Sequence, residues 1–292
     1  MSKLKTIIIT GANSGLGFKT AENIAKTTAD YQIIMACRNL DKANEAKQKL
    51  ITETGNKNIL ALPLDLTSLQ SVREFVEKYK NMNLQPVYGL ICNAGISGAH
   101  QGLTKDGFDC VFQSNHLGHF LLTTLLLPLM EEKGRILVVS SDMHCPLSGE
   151  LEWLGSDAIA FPDDDLGKQT IRYSYSKLCN LYFTYELSRQ LKNDKKQIIV
   201  NAFNPGLMLE TNFVPDKSKF TKESLKAVSD RVGSLEKSSQ ALALLMTEKK
   251  YENISGKYYD RSTNTCDSSP LSYNQENAKE LWTMSMKYTY NK

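Results

Sequence analysis

Apolar residues gather in short unbroken runs rich in β-branched side chains at 6–10, 32–36, 59–63, 87–92, 135–140 and 198–203. Between them, over 16–28, 40–53, 69–80, 108–131 and 173–191, apolar positions recur at three and four, the spacing of one helix face. A continuously apolar strand needs cover on both faces, and right-handed strand–helix–strand crossovers place helices on both. The alternation predicts a doubly wound α/β fold. With a further strand at 256–259 and a last helix at 275–287, the sheet is expected to be parallel with about seven strands. No repeat, low-complexity run or linker divides the chain, so 1–292 reads as one domain. Two segments break the rhythm. One is 142–172, with Pro146, Gly149, Gly155, Pro162 and the run Asp163-Asp164-Asp165; the other is 207–233, with Pro215. Long irregular segments of this kind are expected to line a substrate.

Composition narrows the class. Hydrophobic residues are 41% and charged residues 23% of the 292, ordinary for a globular chain. Thirty-five Lys+Arg against 32 Asp+Glu leave +3, and the nearest basic cluster, Lys192, Lys195 and Lys196, is broken by Asp194. A nucleic-acid partner is therefore not expected. Residues 1–5 do not resemble an export signal and the run 6–10 is too short to cross a bilayer, which predicts a cytoplasmic protein without an integral membrane segment. The six cysteines show no C-x-x-C pair and read as reduced thiols. His116 and His119, at i and i+3, lack a third ligand nearby, so packing rather than metal is expected of them.

The candidate chemistry sits where the predicted strands end. After the first comes Gly11-Ala12-Asn13-Ser14-Gly15-Leu16-Gly17, immediately before a helix. Glycines there allow a tight turn and close backbone approach, and the N–H groups of the helix attract a pyrophosphate. After the second strand, where an NAD site would place a carboxylate, stand Arg38 and Asn39. A permanently charged, planar guanidinium suits a ribose 2′-phosphate, with Asn13 a second contact, so NADP(H) is favoured. Asp65 and Leu66 follow the third strand; Asp65 suits an adenine amino group or a helix N-cap equally. Asn93-Ala94-Gly95 and Asn204-Pro205-Gly206 end the fourth and sixth strands, small enough for a cofactor to lie across them. Ser140 and Ser141 end the fifth. Asn115 is a polar residue in an apolar helix, suited either to bonding a neighbouring main chain or to holding a water. Tyr173 and Lys177, four apart on a predicted helix, place an ammonium beside a phenol; a nearby cation is expected to move the phenol from about 10 toward neutrality. Met143, Trp153, Leu207, Met208 and Phe213 are the apolar candidates for a pocket wall, hinting at a lipophilic substrate.

Taken in order, Gly11/Gly15/Gly17, Asn93-Ala94-Gly95, Asn115, Ser141, Tyr173/Lys177 and Pro205-Gly206 resemble the short-chain dehydrogenase/reductase family over about 6–259. The resemblance implies a Rossmann domain and an NADPH-dependent, reversible carbonyl reductase. In it Tyr173 is the general acid/base and Lys177 lowers its pKa while holding the nicotinamide ribose. Ser141 bonds the substrate oxygen, and Asn115 holds a relay water. It also implies a homodimer or homotetramer. The stretches 114–122 and 176–180 look like the branch with retinol dehydrogenases and light-dependent protochlorophyllide reductases, although Leu207 stands where the latter place a cysteine. Two alternatives remain: a protochlorophyllide-type double-bond reductase, and an NADP-binding sensor without turnover.

Overall fold

The computed structural model describes residues 4–28, 30–213 and 217–290; Pro215 lies outside them. Strands β1 (Lys5–Thr10), β2 (Tyr31–Cys37), β3 (Ile59–Pro63), β4 (Val87–Cys92), β5 (Met130–Val139), β6 (Ile199–Asn204), β7 (Tyr258–Asp260) and β8 (Thr265–Cys266) form one sheet in the order β3-β2-β1-β4-β5-β6-β7-β8. All neighbours pair in parallel except β7 and β8. The helices are α1 (Gly15–Thr27), α2 (Leu40–Thr54), α3 (Leu69–Asn81), α4 (Cys110–Phe112), α5 (Gly118–Leu126), α6 (Ser156–Ala160), α7 (Asp164–Lys168), α8 (Arg172–Asn193), α9 (Lys222–Ala227), α10 (Leu235–Thr247) and α11 (Gln275–Tyr290).

Two apolar layers hold the sheet. Ile8, Ile34, Leu90 and Val138 face α3, α5, α8 and α11, while Ile7, Ile9, Ile33 and Leu137 face α1, α2 and α10. The strands are apolar on both faces because both faces are covered. Winding reverses between β1 and β4, and that reversal opens a crevice at their carboxyl ends, where open α/β sheets take ligands.

Three features depart from the sequence expectation. The eighth strand is two exposed residues pairing antiparallel at the edge, too short for any periodicity to reveal. The helix expected over 108–131 is instead α4, a π-helical turn at Gln113–Leu117, α5, and a 3-10 turn at Leu127–Leu129. Pro128 in that last turn has no N–H to continue the helix, and β5 begins at Met130, five residues before the expected 135. Finally, 142–172 is not structureless, since it contains α6 and α7.

Candidate active site

The crevice is closed at its base by hydrogen bonds from Thr10. Its hydroxyl oxygen accepts from the Asn93 and Ala94 N–H groups, both at 2.9 Å, and its carbonyl accepts from Asn93 Nδ2 at 2.8 Å. The loops after β1 and β4 are therefore one unit. Gly11 and Gly15 take φ of 65° and 53°, in the left-handed region that favours glycine. Gly17 is required for space: a Cβ there would lie 2.5 Å from Asn93 Nδ2 and 2.7 Å from the Gly11 carbonyl oxygen. The Leu16 side chain is buried in the core, so only its main chain faces the loop, while Ser14 is exposed just before α1. The first N–H groups of α1 and their positive dipole end thus meet the crevice.

Around the rim, Arg38 is exposed directly after β2 and has no hydrogen-bond or ion-pair partner among the described residues. Asn39 caps α2 by accepting from Lys42 N at 2.9 Å. Asp65 does not cap a helix. Its Oδ1 accepts from Thr67 N and Oγ1, at 2.9 and 2.7 Å, turning the chain, and Ser68 caps α3. Leu66 is buried beneath Gly118, where a Cβ would stand 2.5 Å from the Leu66 carbonyl oxygen. Pro205 and Gly206, the latter at φ 75°, begin a loop pinned at its base: Leu207 N donates to Arg231 O at 2.8 Å and Gly233 N to Leu207 O at 2.9 Å.

Tyr173 and Lys177 share one face of α8, with Lys177 Nζ 5.4 Å from the tyrosine ring centroid. Lys177 is 3% exposed; its Nζ donates to Val139 O at 3.0 Å, and burial lowers its pKa to about 8. Tyr173 is partly exposed. Burial pushes the phenol well above its ordinary value, the Ser141 hydroxyl beside it lowers it by less, and Asp142 raises it further. The direction is opposite to the expected shift toward neutrality, because desolvation of the phenol is the largest cause. Ser140 and Ser141 separate cleanly. Ser140 is 1% exposed and donates to Lys177 O at 2.8 Å, whereas Ser141 is partly exposed and donates to Asp142 Oδ1 at 3.2 Å.

Asn115 lies in the π turn with both ends of its amide engaged. Oδ1 accepts from Ile96 N at 2.8 Å, and Nδ2 donates to Ile96 O and Ser176 Oγ, both at 3.0 Å. The side chain performs the main-chain role. A Cβ on Gly95 would come within 3.1 Å of Asn115 Oδ1 and 3.7 Å of Lys177 Nζ, so this glycine lets the loop after β4 reach the lysine.

Several residues that matter here were not singled out for this role from the sequence. His119 bridges Asn115 O (Nδ1, 3.2 Å) and Thr10 Oγ1 (Nε2, 2.9 Å), and burial lowers its pKa to about 4, keeping it neutral. His116 instead bonds Ser285 Oγ at 3.0 Å. Arg172, 3% exposed, pairs with Asp109 and donates to His100 O at 2.5 Å. It thereby fixes the start of α8 against the loop after β4. Position immediately before Tyr173 was the only signal it offered. Among the apolar pocket candidates, Trp153 packs on Tyr182 and donates to Glu280, and Met208 packs on the core, both remaining partly exposed. Phe213 stands against Tyr173, ring centroids 5.7 Å apart.

Known proteins resemble this chain in sequence and in fold. The sequence model of the short chain dehydrogenase family matches residues 5–146. The chain is 34% identical over 288 residues to the WW domain-containing oxidoreductase of Gallus gallus, covering 96% of this chain and 67% of that one. To retinol dehydrogenase 13 of Homo sapiens it is 35% identical over 290 residues, covering 95% and 82%. A crystal structure of an uncharacterised protein from Mycobacterium paratuberculosis superposes with a TM-score of 0.72 at 28% identity, covering 98% of this chain and 94% of that one. Among the described residues, no helix is long and apolar enough to cross a membrane.

Proposed function

On the premise that the chain belongs to the short-chain dehydrogenase/reductase family, in its retinol-dehydrogenase-like branch, we propose that it is an NADPH-dependent carbonyl reductase, reversible as an alcohol dehydrogenase. The observation that carries the reading is Tyr173 one turn before buried Lys177 on α8, with the Ser141 hydroxyl beside the phenol. NADPH, when bound, supplies the hydride to the carbonyl carbon. The cradle fits a dinucleotide: the loop Gly11, Asn13, Ser14, Gly15, Leu16 and Gly17 takes the pyrophosphate on main-chain N–H groups. Arg38 takes the 2′-phosphate, with Asn39 beside it. Asp65 and Leu66 border the adenine, and Asn93, Ala94, Gly95, Pro205 and Gly206 border the ribose and nicotinamide.

Tyr173 gives its proton to the substrate oxygen, breaking the phenol O–H as the alcohol O–H forms. Ser141 donates to the same oxygen, where negative charge grows in the transition state. Lys177 holds the ribose hydroxyls and stabilises the phenolate left behind. Asn115, in the π turn, is the place for the relay water. Phe213 over Tyr173 supports a lipophilic substrate. The substrate-side segments are 142–172 and 207–233.

The test is a spectrophotometric screen of NADPH oxidation against aldehydes, ketones, retinoids and quinones, repeated with Tyr173→Phe. The variant is expected to bind NADPH as the parent does and to lose at least about 100-fold in kcat. Full turnover by Tyr173→Phe would refute the acid/base assignment.

A further inference from the structure

His119 lies on α5, 1% exposed, with each ring nitrogen set against a different part of the site. Nδ1 stands 3.2 Å from the Asn115 carbonyl oxygen, and Nε2 stands 2.9 Å from the Thr10 hydroxyl oxygen. A carbonyl oxygen only accepts, so Nδ1 must carry a proton to meet it. The Thr10 oxygen already accepts from the Asn93 and Ala94 N–H groups, both at 2.9 Å, which occupy its two lone pairs. What it has left to offer is its own proton, and Nε2 must be the bare nitrogen that receives it. Ile91 O, the other acceptor in reach of that proton, is farther away at 3.3 Å. The two contacts, at opposite ends of the ring, thus demand the same neutral form, Nδ1–H. His116, three residues earlier, bonds Ser285 Oγ at 3.0 Å and shares neither contact.

We propose that His119 is a positioning residue, held as the Nδ1–H tautomer, that ties the dinucleotide cradle to the turn carrying Asn115. By taking the Thr10 proton it keeps both lone pairs of that hydroxyl on Asn93 and Ala94, and so holds the loop after β4 against the loop after β1. With its other nitrogen it holds the main chain of Asn115, whose side chain is already fixed on Ile96 and Ser176. One imidazole therefore serves two tasks that separate: Nε2 steadies the cofactor's loops, and Nδ1 steadies the residue assigned to the relay water. The consequences for NADPH and turnover rest on the proposed reductase reading, whereas the tautomer does not.

The tautomer is read by NMR in cofactor-free protein carrying 15N-labelled histidine. Replacing His100, His116 and His144 one at a time by Gln identifies the ring resonances of His119 among the chain's four histidines. At neutral pH they are expected to show Nδ1–H; Nε2–H, or exchange between the two forms, would overturn the inference. Two variants then separate the ends of the ring. His119→Asn places an amide N–H near the position of Nδ1 and leaves Thr10 without its acceptor, whereas His119→Gln places a carbonyl near the position of Nε2 and releases Asn115. His119→Asn is expected to weaken NADPH binding roughly fivefold, the worth of one hydrogen bond, with kcat within about twofold of the parent. His119→Gln should show the opposite split, kcat down roughly fivefold and NADPH affinity within about twofold, on a carbonyl compound that the screen shows to be reduced. Equal changes in the two variants, or a lower Tm with NADPH affinity and kcat unmoved, would be the mark of plain core packing and would also overturn it. Should neither variant fold, the tautomer alone decides. The two readings fail differently. An active Tyr173→Phe would remove the acid/base assignment and leave the tautomer and affinity measurements in force, whereas an inactive Tyr173→Phe with no split between the His119 variants removes only this link.

Discussion

Lys177 is a cation held at a cost. Its pKa of about 8, against about 10.5 for the unfolded chain, means that the folded protein binds fewer protons across that window. The penalty is complete below pH 8 and is relieved as pH rises toward 10.5. Lys177→Met is therefore expected to stabilise the cofactor-free protein at pH 7 by roughly 1–3 kcal/mol while abolishing turnover. Val139 O keeps a donor in that variant, because Asn180 Nδ2 reaches it at 3.1 Å. Urea denaturation of the two proteins decides the matter, and a variant less stable than the parent would contradict it. Arg38 presents the opposite case, an exposed cation that we propose serves a ligand. Arg38→Asp should weaken NADPH binding by at least about tenfold and improve NADH relative to it, read by fluorescence titration; a parent that prefers NADH would refute the assignment.

Among the elements, α8 carries the most, and it was legible as a helix from its period yet not as to what anchors it. The buried Arg172–Asp109 pair sits at its first turn, and Asp109 Oδ1 also caps α4, accepting from Val111 N and Phe112 N at 3.0 and 2.9 Å. Removing one member strands the other as a buried charge. Arg172→Ala is expected to cost about 3–5 kcal/mol, a loss that Asp109→Ala should match and the double variant should not double. Additive losses in thermal denaturation would show the pair to be uncoupled. The strands at 59–63 and 87–92 were readable to the residue, β4 because its apolar run ends abruptly before Asn93. The π turn was not readable as a π turn, although Gln113-Ser114-Asn115-His116 interrupts the apolar spacing of the helices around it. Its signal is polar: Asn115 placed where a regular helix would waste it.

For the whole molecule, the two-sided sheet and the order of the loops followed from pattern, because periodicity reports which faces are covered. The direction of the Tyr173 shift did not, because desolvation depends on what the distant segment 207–233 and α8 bring together. The same burial makes a prediction about acid. His116 and His119 are held neutral, with pKa values lowered to about 3 and about 4, while in the unfolded chain each titrates near 6.5. Between those limits the unfolded chain binds more protons, so stability present above pH 6.5 is lost as pH falls, by up to about 1.4 kcal/mol per pH unit for each histidine. Urea midpoints at pH 7.5, 6 and 5 should decline accordingly, and a flat profile would contradict the neutral assignment.

The pinned base of the 207–233 loop has a consequence for how such a protein changes over generations. Leaving β6 and entering α10, its two ends are joined by hydrogen bonds of Leu207 with Arg231 and Gly233, and Gly233 is so closely packed that a Cβ would lie 2.1 Å from the Pro205 carbonyl oxygen. The segment is in effect a cassette with a fixed socket. Phe213, inside it, packs on the Tyr173 ring, so exchanging the interior is expected to change what meets that ring while the socket keeps its place.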